Sequence, residues 1–136
     1  MIRQATPEDC AACAAISRMT ELAKVDGASY PEETFQEFFA PGDIFLVDEE
    51  GGVVRGFIAG EPMHGDAHYL SLLAVAEQGK GVGKALLAAY EEEVKRMGLS
   101  MIVLHALAIN TRAKEFYRRR GYYGAPDETP FYKRLC

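Results

Sequence analysis

The spacing of apolar residues changes along the chain, and each change marks a helix or a strand. Thr6-Pro7-Glu8-Asp9 reads as a helix start, with Thr6 as N-cap, a proline at the first helical position and acids in the first turn. Ala12, Ile16, Met19 and Ala23 then recur at helical spacing. A second short helix fits Pro31 to Phe39, where Phe35, Phe38 and Phe39 are expected on one face and Pro41-Gly42 supplies a stop. Ile44 to Val47 and Val53 to Ala59 are strand-like runs on either side of Asp48-Glu49-Glu50-Gly51-Gly52, which predicts an antiparallel hairpin. His68 to Val75 predicts another strand, followed by a glycine-rich turn and a helix carrying Val82, Leu86, Ala89, Tyr90 and Val94, ended by Gly98. Met101 to Ala106 suits a strand buried on both faces, Thr111 to Arg120 a helix closed by Gly121, and Phe131 to Leu135 a last strand. With an opening strand, the order is strand, two helices, two or three strands, helix, strand, helix, strand. This mixed α/β order excludes a simple bundle or sandwich.

Composition narrows the picture further. With 136 residues, 49% of them hydrophobic and 26% charged, the chain is expected to form one globular domain over 1–136. No apolar run approaches the roughly 18 to 20 residues of a membrane span, and Met1-Ile2-Arg3-Gln4 leads into a polar helix start, so a soluble cytoplasmic protein is expected. Three cysteines, two of them in the alanine-rich Cys10-Ala11-Ala12-Cys13, do not describe a disulfide framework, and buried helix packing is preferred to a redox pair. Residues 1–78 hold 4 Lys/Arg against 14 Asp/Glu and residues 79–136 hold 11 against 6, so the halves carry −10 and +5. That division argues against a pervasive basic face for nucleic acid. It suits an anionic ligand on the C-terminal half and a cationic one on the other, or simply two unevenly charged solvated faces.

The most informative stretch is Gln78-Gly79-Lys80-Gly81-Val82-Gly83-Lys84. Its glycines let the backbone approach a ligand closely, and the following helix presents free N–H groups to an anion. It is not a dinucleotide fingerprint, because the pattern fails at Lys84 or Leu86, nor a Walker A loop, because Ala85 stands where Ser or Thr holds magnesium. Gln78, Gly81 and Gly83 match Q/R-x-x-G-x-G/A, the pyrophosphate-binding signature of the GNAT acetyltransferases. Downstream, Asn110-Thr111-Arg112-Ala113-Lys114-Glu115-Phe116-Tyr117-Arg118-Arg119-Arg120-Gly121-Tyr122 resembles that family's N-x-x-A-x-x-F/L-Y-x-x-x-G-F/Y at every position. Weaker likeness runs through the Ile2 to Asp9 opening, Val54 to Gly60 and Tyr132 to Leu135, so the resemblance spans nearly the whole chain.

The resemblance implies a GNAT fold: a central mixed, mostly antiparallel twisted sheet flanked by about four helices. It also implies transfer of an acetyl group from acetyl-CoA to an amine in a ternary complex, without metal; dimers are common among relatives. The turn from Gln78 through Gly79, Lys80, Gly81, Val82 and Gly83 to Lys84 would anchor the CoA pyrophosphate. Each backbone N–H there contributes about 1.5 to 3 kcal/mol and the helix terminus roughly 0.3 to 1 more. The strand end Leu73-Ala74-Val75 would supply the amide that holds the thioester carbonyl, with either Leu73 or Val75 as donor. Asn110 would hold the pantetheine arm, serve as N-cap of the next helix, or both. Tyr117 stands where relatives donate a proton to the leaving thiolate, although Ala113, Phe116 and Tyr117 also have core spacing.

The base is the weakest assignment. Many relatives carry a glutamate on the strand before the glycine turn, where this chain has Ala67 or Tyr69. In the branch resembling protein N-terminal alanine acetyltransferases a glutamate stands five residues before the Asn, and here that position is His105, either a base or a satisfied core histidine. Glu61, acting through water, is the alternative. His64, Asp66 and His68 imitate a metal cluster but read as a solvated loop, and Arg118-Arg119-Arg120 reads as a solvated helix end rather than an RNA patch. By family analogy the acceptor lies among 21–30, 61–67 and 124–130, whose Asp26, Glu61, Asp66, Asp127 and Glu128 suggest a cationic amine. A non-catalytic acyl-CoA sensor is the competing reading.

Overall fold

The computed structural model describes residues 1–19, 30–105, 111–124 and 130–135. Its strands are β1 (Ile2–Gln4), β2 (Ile44–Glu50), β3 (Val53–Pro62), β4 (Ala67–Val75), β5 (Met101–His105) and β6 (Pro130–Arg134). Its helices are α1 (Cys10–Met19), α2 (Glu32–Gln36), α3 (Val82–Arg96) and α4 (Thr111–Arg119). The six strands form one sheet in sequence order, with only β4 and β5 parallel. That is the element order and mixed sheet expected from the sequence.

The hairpin of β2 and β3 turns on Gly51 and Gly52 alone, both with positive φ (58° and 82°), so the strands run on through Asp48-Glu49-Glu50. Asp48 is buried there, pairing with Arg55 at 3.2 Å and with the Met1 ammonium at 3.0 Å. Thr6 and Asp9 cap each other's backbone, but Pro7–Asp9 is a 3-10 turn and the α-helix begins at Cys10. The buried face of α1 is Cys10, Cys13, Ala14, Ile16 and Ser17, while Met19 is exposed, which rotates the stripe away from the expected line of Ala12, Ile16 and Met19; Ala23, its fourth position, lies outside the described residues. The thiols are buried packing groups, and burial pushes the Cys13 pKa up to about 12. In α2, Phe35 is buried and Phe38 half-buried, but Phe39 is exposed because the helix has already ended at Gln36.

The sheet divides the core in two. On one face α3 and α4 cover Ile58, Leu70, Ile102 and Leu104, and on the other α1 and α2 cover Phe45, Val47, Phe57 and Leu72. Tyr90, fully buried on α3, reaches across to β3 and β4, where its hydroxyl bonds Nδ1 of His68 and Nε2 of His68 bonds the Gly42 carbonyl at 2.9 Å. His68 is therefore a satisfied core residue rather than part of a solvated loop. Burial lowers its pKa, so the folded state holds it neutral with Nε2–H donating to Gly42. Gly60 makes room for the Tyr90 ring, because a Cβ there would lie 2.0 Å from its hydroxyl and 2.5 Å from the Tyr69 carbonyl. A bulge sets this register: Ala59 pairs with Leu72 and Gly60 with Leu70, which leaves Ser71 as the extra residue.

Gly60→Ala is expected to destabilise the fold by about 3 kcal/mol or more through overpacking, read as a shift of the urea midpoint. His68 binds its proton more weakly folded than unfolded. Its contribution is intact above the unfolded value of 6.5 and is lost as pH falls through its lower folded pKa. The melting temperature should fall on acidification below about pH 6.5, and His68→Gln should flatten that slope.

Candidate active site

β4 and β5 pair only at one end. The parallel ladder registers Ala67, His68 and Tyr69 against Met101, Ile102 and Val103. Beyond it, β5 stays paired with β6 through Leu104 and His105, and β4 stays with β3 through Val75. The two strands part after Tyr69, and the bulge at Ser71 lies at the start of the parting. Ala76 donates its N–H to the Arg55 carbonyl at 2.8 Å. By the two-residue alternation of an antiparallel ladder, Ala74 and Leu72 also bond into β3. Leu73 and Val75 then turn their N–H and C=O groups toward the opening, so both amides that the sequence left as alternatives face the same gap.

The glycine turn stands at the far end of that gap. Gly79 and Gly81 take φ of 81° and 77°, a region closed to most side chains, and a Cβ on either would meet nothing within 4 Å. Their conformation, not crowding, requires glycine. Gly81 is the N-cap of α3 and has no side-chain cap, and the first turn of α3 carries no acid. Free N–H groups and the helix dipole therefore meet Lys80 and Lys84 at this turn, with Glu77 lying 3.9 Å from Lys80. Gln78, Gly79, Lys80, Gly81 and Lys84 are exposed, whereas Val82 is buried and clamps the turn onto the sheet. A Cβ on Gly56 would lie 3.0 Å from Val82 and 3.1 Å from Val75, so the start of α3 rests directly on the open arm of β4.

α4 closes the other side. Phe116 lies 3.6 Å from where a Cβ of Gly83 would stand, and Ala113, like Phe116, is half-buried against the core. Arg120 folds back with its guanidinium 4.0 Å over the Phe116 ring and donates to the Phe116 carbonyl at 3.0 Å, so the arginine run is not wholly a solvated helix end. Tyr117 is buried among Phe116, Tyr122 and Phe131, and its hydroxyl has no hydrogen-bond partner among the described residues. Burial raises its pKa, which keeps the phenol protonated. Tyr122 bonds Glu91 at 2.9 Å and Lys133 reaches the same carboxylate at 3.2 Å, which ties the end of α4 to α3.

The candidate bases share the opposite sheet face. Glu61 pairs with Tyr69, Tyr69 with Val103, Val103 with Tyr132, and Tyr132 with Tyr123, making one row across the sheet. His105 is exposed at the end of β5, not a core histidine, and its Nδ1 bonds the Tyr69 hydroxyl at 2.9 Å. Burial raises the Tyr69 pKa, and Glu61 and Tyr30 raise it further. The Tyr69 side chain is the functional candidate that sequence reasoning passed over. In the sequence the position shows only the absence of a carboxylate, and its link to His105 joins residues on separate strands. Glu61 is exposed, and the Asp66 carboxylate is engaged by the Ser100 hydroxyl. Asn110, Asp26, Asp127 and Glu128 lie outside the described residues. Among the described residues no group of three or more His, Cys, Asp or Glu is placed to hold a metal ion, and no helix is long and apolar enough to cross a membrane.

Comparison with known proteins places this geometry. The acetyltransferase (GNAT) family pattern matches residues 13–122. A mycothiol acetyltransferase from Pseudarthrobacter chlorophenolicus is 34% identical over 108 residues, which is 74% of this chain and 32% of that protein. The chain thus spans about a third of that relative's length. Among solved structures, the ribosomal-protein-S18-alanine N-acetyltransferase of Escherichia coli superposes with a TM-score of 0.82 at 19% identity, over 99% of this chain and 93% of that one. A PaiA N-acetyltransferase from Thermoplasma acidophilum, solved with coenzyme A, gives 0.79 at 18%, over 98% of both chains. On its sequence, this chain belongs to the GNAT acetyltransferase family.

Proposed function

We propose that residues 1–136 act as a single domain that transfers an acetyl group from acetyl-CoA to a primary amine by direct attack in a ternary complex. The observation that carries this reading is the unpaired edge of β4, whose Leu73 and Val75 amides face a gap ending at the uncapped N-terminus of α3. Acetyl-CoA supplies the activated thioester and the charged pyrophosphate. The residues from Gln78 to Lys84 bind the latter through main-chain N–H groups, which carry charge-assisted hydrogen bonds without a metal ion. The Leu73 or Val75 amide polarises the thioester carbonyl. Tyr117, held protonated by burial, donates to the departing thiolate. Asn110 is assigned to the pantetheine arm by family resemblance alone.

The acceptor is proposed to be a cationic amine, on the strength of Glu61 at the row's end and the excess of acids in the first 78 residues. A cytoplasmic setting suits the two buried free thiols.

Release of the CoA thiol is the test, with spermidine, glucosamine and an alanine-starting peptide as acceptors. Turnover with at least one is expected, and none despite tight acetyl-CoA binding would leave a sensor. Gly81→Ala should weaken acetyl-CoA binding about tenfold, since left-handed strain of about 1 to 2 kcal/mol deforms the turn, while the melting temperature moves little. Tyr117→Phe should lower kcat by roughly 10² at unchanged acetyl-CoA affinity, and an unaltered kcat would make this tyrosine a packing residue.

A further inference from the structure

Resting on the acetyl-transfer reading, we propose that Tyr69 and His105 form a proton relay that deprotonates the acceptor amine. The Tyr69 oxygen accepts a proton from the acceptor's ammonium as its own proton passes to Nδ1 of His105. The amine is left neutral with its lone pair free to attack, and the imidazolium returns the proton to solvent.

Three observations place the relay. First, the pair stands where it is needed: Tyr69 is the last β4 residue paired with β5, at the mouth of the gap that Leu73 and Val75 face. Second, the pair is already formed. The Tyr69 hydroxyl and His105 Nδ1 are 2.9 Å apart, within the distance at which a proton moves directly. The phenol keeps its proton, because burial opposes ionisation, so the hydroxyl donates and Nδ1 accepts. Third, the two ends differ in exposure: Tyr69 is half-buried and His105 exposed, which gives the arriving proton a route to water.

A lone phenol is a poor base for an ammonium near neutral pH. With an imidazole behind it, the proton ends on a group whose usual titration range is pH 5 to 8. Among the described residues, the titratable and charged groups on this side of the pair are Glu61 on β3, Tyr30 ahead of α2, Tyr132 and Arg134 on β6, and Tyr123 beside Tyr132. Glu61 adds negative charge beside Tyr69, which favours an incoming ammonium and disfavours a phenolate.

The test compares Tyr69→Phe, His105→Gln and the double variant by CoA-thiol release from pH 6 to 9.5, with an amine that the wild-type chain acetylates. Tyr69→Phe keeps the ring and His105 is exposed, so both variants should fold and bind acetyl-CoA within about threefold of wild type. Each should lose about 10² in kcat near pH 7, with the double variant no slower than the worse single one. Their rates should climb with pH toward wild type as the amine loses its proton unaided. Wild type should reach its plateau at a lower pH than His105→Gln, whose acid limb follows the titration of the amine itself. Wild-type rates in Tyr69→Phe, or multiplicative losses in the double variant, would overturn the relay and leave acetyl transfer standing. No turnover of any amine by wild type would remove both.

Discussion

The separation of β4 from β5 is the constraint on which the rest depends. A parallel pair that stayed in register would satisfy every backbone group and leave nowhere for an extended ligand to lie. Here the ladder ends at Tyr69, and the residues beyond it keep only one hydrogen-bonded flank. Unpaired backbone amides next to a core are costly unless water or a ligand meets them. The fold holds them in place nonetheless. Ser71 bulges out of the ladder, Val82 pins the start of α3 on Gly56 and Val75, and Phe116 closes over Gly83. Glycine is required at Gly56 and Gly60 for contact and at Gly79 and Gly81 for backbone angle, two distinct reasons within one site.

The sheet also separates two chemistries. Leu70, Ile102 and Leu104 face the helices α3 and α4, whereas the alternate residues Tyr69, Val103 and His105 face the other way. In the proposed complex the pyrophosphate meets the turn that carries Lys80 and Lys84, and the acceptor meets the face that carries Glu61. Burial does different work on each side. It keeps Tyr117 protonated among aromatic rings, holds His68 neutral beneath the sheet and leaves His105 in contact with water.

Much of this was legible in the sequence. The helix of Val82 to Val94 and a hairpin across Asp48 to Gly52 were strong periodic or turn signals, though the turn shrank to its two glycines, and the described parts of both motifs fall on the elements they implied. The details that failed were those decided by tertiary contact. The stripe of α1 turned toward its cysteines because Phe35 and Phe57 offer a surface that accepts small side chains. His68 became a core residue because Tyr90 and the Gly42 carbonyl satisfy its ring. Arg120 left the solvated run for the face of Phe116. The Tyr69–His105 bond was out of reach for the same reason. Its partners are 36 positions apart, and their meeting depends on the β4–β5 register, which no local pattern encodes.

The central claim is that acetyl-CoA occupies the gap between β4 and β5 and is held by main chain. Backbone amide resonances followed during titration with acetyl-CoA test it most directly. The account predicts the largest changes at Leu73, Val75 and the amides from Gly79 to Lys84, with slowed solvent exchange at the β4 positions. Saturable binding that leaves those amides unmoved and shifts another surface would contradict it.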